Sequence, residues 1–127
     1  MVKDKGEKSM KQQNIVNAYK VIKKYENEKL PLDISYGFFK LKKLLQSQWD
    51  FEVEREKSIF DKYEITQGDN GNLIFKSPED QQNFAKDIAE LLDMDCDWDE
   101  DKIKINFGDR LELPVVDIEA LDDFVAF

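Results

Sequence analysis

Five aspartates alternate with apolar residues late in this chain. Asp93, Asp95, Asp97, Asp99 and Asp101 interleave with Met94, Cys96 and Trp98. Clustered carboxylates are the donors that hard cations take, so the run is first tested as a calcium loop. It fails that test. A loop opening at Asp93 needs Gly at its sixth position and a bidentate Glu at its twelfth, where Trp98 and Lys104 stand. Period two predicts a strand instead, with one acidic and one apolar face. Acids on such a face stand about 7 Å apart, so one ion could gather them only if the strand bent. No metal site and no cofactor are therefore expected. The five acids stand as a candidate face for a protein partner, and charge complementarity favours a basic one.

Catalysis finds little to use. The chain has no His, the side chain that titrates nearest neutral pH. Its single cysteine, Cys96, falls on the apolar side of the predicted strand, and neighbouring acids blunt its reactivity by disfavouring the thiolate. Gly68-Asp69-Asn70-Gly71 lacks the Lys that follows a phosphate loop and reads as a turn. Twenty-eight acids make chance carboxylate pairs inevitable, so a pair alone argues nothing. No enzymatic activity is expected. The chain end offers a candidate docking tail in Asp122, Asp123, Phe124 and Phe127. An acidic stretch ending in Phe is similar to the tails by which bacterial single-stranded-DNA-binding proteins recruit partners. In the competing reading, Leu121, Phe124 and Phe127 cover the domain's own core.

These residues need a scaffold, and the stretch from Leu30 to Tyr63 supplies it. It holds no Pro after Pro31 and no Gly after Gly37. At 100° per residue, Phe38, Leu41, Leu45, Trp49, Val53, Ile59, Phe60 and Tyr63 form one stripe, which predicts a long amphipathic helix. Phe39, Leu44 and Phe51 fall off that stripe and form a candidate second contact surface. Glu52 and Glu56 fall inside it, and the favoured reading is that the stripe there slides past the first helix into solvent. That first helix is predicted from about Asn14, on Ile15, Ala18, Tyr19, Ile22 and Tyr25. Two β-prone runs around Gly68–Asn72 predict a hairpin. Ser77-Pro78-Glu79-Asp80 opens a third helix, with a capping hydroxyl, Pro in the first turn and two acids at the positive dipole end. A second hairpin is predicted between the acidic strand and Lys102–Phe107. A short strand and then a helical turn or two are expected from Val115.

The resulting fold class is α+β: a long antiparallel helical hairpin, a third helix and a small antiparallel sheet. Residues 1–13 are expected to be a basic, flexible arm and residues 14–127 a single domain, which suits a 127-residue chain. The net charge of −9 is split unevenly. Residues 1–29 carry eight bases and four acids, and residues 86–127 carry four bases and fourteen acids. Direct nucleic-acid binding is not expected of so acidic a chain, and Lys3, Lys5, Lys8 and Lys11 read as a solubilising arm. Met1–Met10 has no apolar run, so it is not read as a signal peptide, and no window is apolar enough to span a membrane.

In the order of its segments the chain resembles a family of small proteins from tailed phages of low-GC bacteria. The likeness runs from Asn14-Ile15-Val16-Asn17-Ala18-Tyr19 and Glu28-Lys29-Leu30-Pro31-Leu32, through Phe51-Glu52-Val53-Glu54-Arg55-Glu56-Lys57, to Phe84–Leu92 and Asp117-Ile118-Glu119-Ala120-Leu121. That family has no agreed catalytic or binding residues, so the resemblance implies a setting and no site. It implies a non-enzymatic accessory protein working by protein–protein contact as a virion or assembly component, found in the virion or the host cytoplasm, with oligomers allowed. The alternative is an acidic, DNA-mimicking inhibitor of a host nuclease or defence protein.

Overall fold

The computed structural model describes residues 8–127. Its elements in chain order are β1 (Lys8–Lys11), α1 (Gln12–Tyr25), α2 (Leu32–Lys62), β2 (Thr66–Gln67), β3 (Leu73–Ile74), α3 (Pro78–Leu92), β4 (Asp95–Trp98), β5 (Ile103–Lys104), α4 (Val115–Leu121) and β6 (Val125–Ala126). The architecture is α+β, as the pattern predicts, with two long adjacent helices, further helices and small two-stranded sheets.

The core forms where α1 lies along the first half of α2. Ile15, Ala18, Tyr19 and Ile22 meet Ile34, Phe38, Leu41 and Leu45, all buried. Tyr19 stacks on Trp49 with ring centroids 4.4 Å apart. Pro31 precedes the first turn of α2, and its carbonyl accepts from the Ser35 amide at 3.0 Å. Gly37 lets the segment of β5 lie against α2: a Cβ there would stand 2.6 Å from Ile105 Cγ1. Ser77 caps α3 as its sequence predicts, its hydroxyl accepting from the Asp80 amide at 3.1 Å. The β2–β3 hairpin turns through Gly71 at φ +82°, a conformation that glycine adopts without strain.

Three expectations change. First, the arm is shorter than residues 1–13. Residues 1–7 lie outside the described residues, but residues 8–11 form a strand and α1 opens at Gln12. Second, the acidic strand does not form a hairpin with its sequence neighbour. β4 pairs antiparallel with β1, setting Met10 against Cys96 and Lys11 against Asp95. That register places apolar residues together on the buried side and opposite charges on the other. β5 lies parallel to β6 instead, with the Ile103 amide donating to the Phe124 carbonyl at 2.9 Å. Third, the tail runs helix then strand. The helix comes first because Pro114, extended at ψ 152°, frees its carbonyl to accept from the Asp117 and Ile118 amides and start the turn. Among the described residues no helix is long and apolar enough to cross a membrane.

Candidate functional site

The acidic run divides between two roles. Asp95 and Asp97 lie on the exposed face of β4, while Cys96 points inward. Lys11, across the strand pair, reaches Asp95 at 3.0 Å and the Asp93 carboxylate at 3.5 Å, and donates to the Asp93 carbonyl at 3.1 Å. Its ammonium is held above the usual lysine range, chiefly by the hydrogen bond to Asp95. The start of the run is thus answered from within the chain by β1. Asp97, Asp99, Glu100 and Asp101 are exposed and continue the acidic surface into the loop before β5. Among the described residues, no group of three His, Cys, Asp or Glu is arranged to hold a metal.

The candidate tail is folded back onto the domain. Phe124 is among the most deeply buried side chains and meets Trp98 edge-on, with centroids 5.2 Å apart. Val125 is buried in β6, while Asp122 and Asp123 are exposed. Phe127 lies against Phe107 at 5.6 Å but keeps 53% of its surface open. A partner that read this segment as a peptide would have to peel β6 from β5.

The residues off the main stripe of α2 do not form one surface. Leu44 is half-buried. Phe51 lines a cleft of about 630 Å³ between α2 and α3, together with Arg55, Ile59, Lys62, Asp87 and Leu91. Asp87 accepts from the Tyr63 hydroxyl at 2.6 Å and from Lys62 at 3.1 Å, and these partners hold its carboxyl below the usual range. Phe39 sits twelve residues earlier on α2, about 18 Å along its axis from Phe51. There it belongs to an exposed row that the sequence reading did not assemble. Leu32 is 85%, Tyr36 56% and Phe39 53% exposed, at i, i+4 and i+7 on one side of the helix. The signal was present in that spacing, but a wheel read for its buried stripe passes over it.

The chemical feature that sequence reading missed is internal. Glu52 is fully buried, not carried into solvent, and Val53 beside it is half-exposed. The buried face of α2 here follows Leu45, Glu52 and Ile59, seven residues apart, so the seam has moved by one position from Trp49–Val53. Buried Gln12, in the first turn of α1, donates to Glu52 Oε1 at 3.1 Å and to the Gln48 carbonyl at 3.1 Å. The Cys96 thiol donates to Gln12 Oε1 at 3.0 Å. The other carboxyl oxygen of Glu52, Oε2, is buried without a hydrogen-bond partner among the described residues. Burial pushes the Glu52 carboxyl up to about 7, and Glu56 one turn later adds to the shift. Burial also raises the Cys96 thiol, helped by Asp95 and Asp97. The cluster therefore holds a protonated thiol and a carboxyl that is half-protonated near neutral pH. Neither is a poised nucleophile.

Compared with known families, curated proteins and solved structures, the chain matches none. The reading of its role thus stands on its surfaces. It has an acidic surface around β4 and the following loop, an aromatic row on α2, and a buried polar cluster that ties α1, α2 and β4 together.

Proposed function

We propose that this chain is a non-enzymatic accessory protein that works by protein–protein contact, as a virion or assembly component of a tailed phage. One observation carries the contact reading. α2 buries Ile34, Phe38, Leu41 and Leu45 in the core, yet it presents Leu32, Tyr36 and Phe39 in a row to solvent. Scattered apolar side chains need no explanation, but an aligned row with aromatic members has the composition of an interface. The phage setting follows from the resemblance over residues 14–122. The test is mass spectrometry of purified particles from cells infected by a phage encoding this chain. The chain is expected in a fixed copy number per particle or per assembly intermediate. Its absence from both would remove the virion reading.

A second reading has its own observation. Asp97, Asp99, Glu100 and Asp101 present four exposed carboxylates within five residues. A DNA-mimicking inhibitor would use such a face on a basic host protein. Its binding would weaken steeply with salt and vanish when Asp97, Asp99 and Asp101 are neutralised.

A further inference from the structure

We infer that the outer face of α2 around Tyr36 and Phe39 is a docking site for an acidic polypeptide segment bearing an apolar anchor residue. The inference rests on the contact reading and names the chemistry of the partner. Four observations support it.

The first is the aligned row of Leu32, Tyr36 and Phe39, whose two rings also stack on each other, with centroids 6.1 Å apart. The second is the placement of two cations. Lys40 lies over the Tyr36 ring at 5.0 Å and Lys43 over the Phe39 ring at 5.4 Å. Nearby Lys23 and Lys42 are both taken up by Glu26, and Lys24 by Asp117. Lys40 and Lys43, by contrast, have no carboxylate within ion-pair distance among the described residues, so the rings hold their charges in place while leaving them to a partner.

The third observation is the local charge. Residues 20–45 carry seven lysines and three acids, whereas residues 46–127 carry eight bases and twenty-three acids. Screening at physiological salt acts over about 8 Å, so an approaching segment feels the lysines on this face more than the distant acids. The fourth is a place for an anchor. Ile22, Tyr25, Leu30, Phe38 and Phe39 form the apolar side of a cavity of about 200 Å³, whose polar side is Glu26, Glu28, Ser35 and Lys42, with Glu26 already paired to Lys23 and Lys42. Its apolar side suits a leucine or phenylalanine side chain. Single-stranded nucleic acid asks for a run of unpaired cations along its backbone, and this face offers Lys40 and Lys43 beside a cavity that carries Glu26 and Glu28.

The experiment pans a random 15-residue peptide display library on the purified full chain. Enriched peptides are then measured by fluorescence anisotropy against wild type, K40E/K43E and F39S, with a twenty-nucleotide oligo-dT as the competing probe. All three changes are on exposed positions, and circular dichroism checks that each variant is folded. Peptides rich in Asp and Glu around one Leu or Phe are expected, and the K40E/K43E pair should weaken them about tenfold or more. The affinity for wild type should also fall as salt rises. Neutral or basic peptides, no enrichment, or acidic peptides that bind K40E/K43E equally would overturn the proposal. So would tighter binding of oligo-dT through the same lysines, or a dimer in sedimentation that K40E/K43E disperses. A chain missing from phage particles would still show the peptide preference, so the virion reading and this inference fail separately.

Discussion

Replacing Glu52 with Gln should remove a pH dependence that the wild-type fold carries. The Glu52 carboxyl has an ordinary value of 4.5 and is raised to about 7 in the folded chain. Between those values the folded protein holds a proton that the unfolded chain has released. Stability therefore falls as pH rises from 4.5 and levels off above 7. A shift of this size corresponds to about 3 kcal/mol lost across that window, at about 1.4 kcal/mol per unit. Glu26 works at the other end of the scale: Lys23 and then Lys42 hold it down to about 2, so its contribution is lost only as pH falls below its ordinary 4.5. The interval from pH 5 to 8.5 is thus governed by Glu52. A Gln at this position keeps an oxygen to accept from Gln12 and supplies an amide that can donate to Glu56. Urea denaturation of wild type should show the loss of about 2.5 kcal/mol between pH 5 and 8.5, while E52Q should stay flat to about 0.5 kcal/mol. E56Q removes a secondary cause of the shift and should give a shallower slope than wild type. A wild-type stability that does not change over this interval, or an E52Q variant that keeps the wild-type slope, would refute the reasoning.

Other substitutions test the fold more directly. G37A places a methyl group inside contact distance of Ile105 and should cost about 1–3 kcal/mol by chemical denaturation. F124A should cost about 3–5 kcal/mol, because Phe124 fills the space against Trp98 in the core. A loss under 1 kcal/mol would show that the chain end is dispensable to the domain. S77A should cost about 1 kcal/mol through the lost cap on α3, measurable as a lower urea midpoint with an unchanged slope. Neutralising Asp97, Asp99 and Asp101 to Asn should leave stability within about 0.5 kcal/mol, so any loss of partner binding in that variant reports the surface alone.

What the sequence made legible follows the range of each signal. α2, the β2–β3 hairpin and the Ser77 cap depend on residues within a few positions of one another, and the structure has them where period, turn chemistry and cap predict. The partner of β4 lies some eighty-five residues away in β1. Four residues reading Lys-Ser-Met-Lys show no alternation strong enough to declare a strand, so local pattern points to the nearer β-prone segment, Lys102–Phe107. Glu52 was misplaced for a related reason. A charged residue inside an apolar stripe is usually exposed, and the partner that overrides this rule, Gln12, lies in a helix turn that begins two residues before the expected start. The row Leu32–Tyr36–Phe39 is visible as spacing, but only the fold shows that it is exposed among the described residues.

The pairing of β1 with β4 also sets a schedule for synthesis. At about 5–20 residues per second, β4 leaves the ribosome roughly 4–17 s after β1. During that interval Met10 and Gln12 have no strand to meet, although α1 and α2 can already associate. The polar cluster at Gln12 and Glu52 closes only when Cys96 arrives, after most of the chain has been made. Contacts of such long sequence separation slow folding, because the loop-closure entropy, which grows with the logarithm of loop length, is lost before the contact forms. Pairing of β4 with β1 should therefore come late in folding, with only β5, α4 and β6 still to be added. A nascent chain stalled before residue 95 should show a formed helical pair whose amides around Met10–Gln12 still exchange freely with solvent.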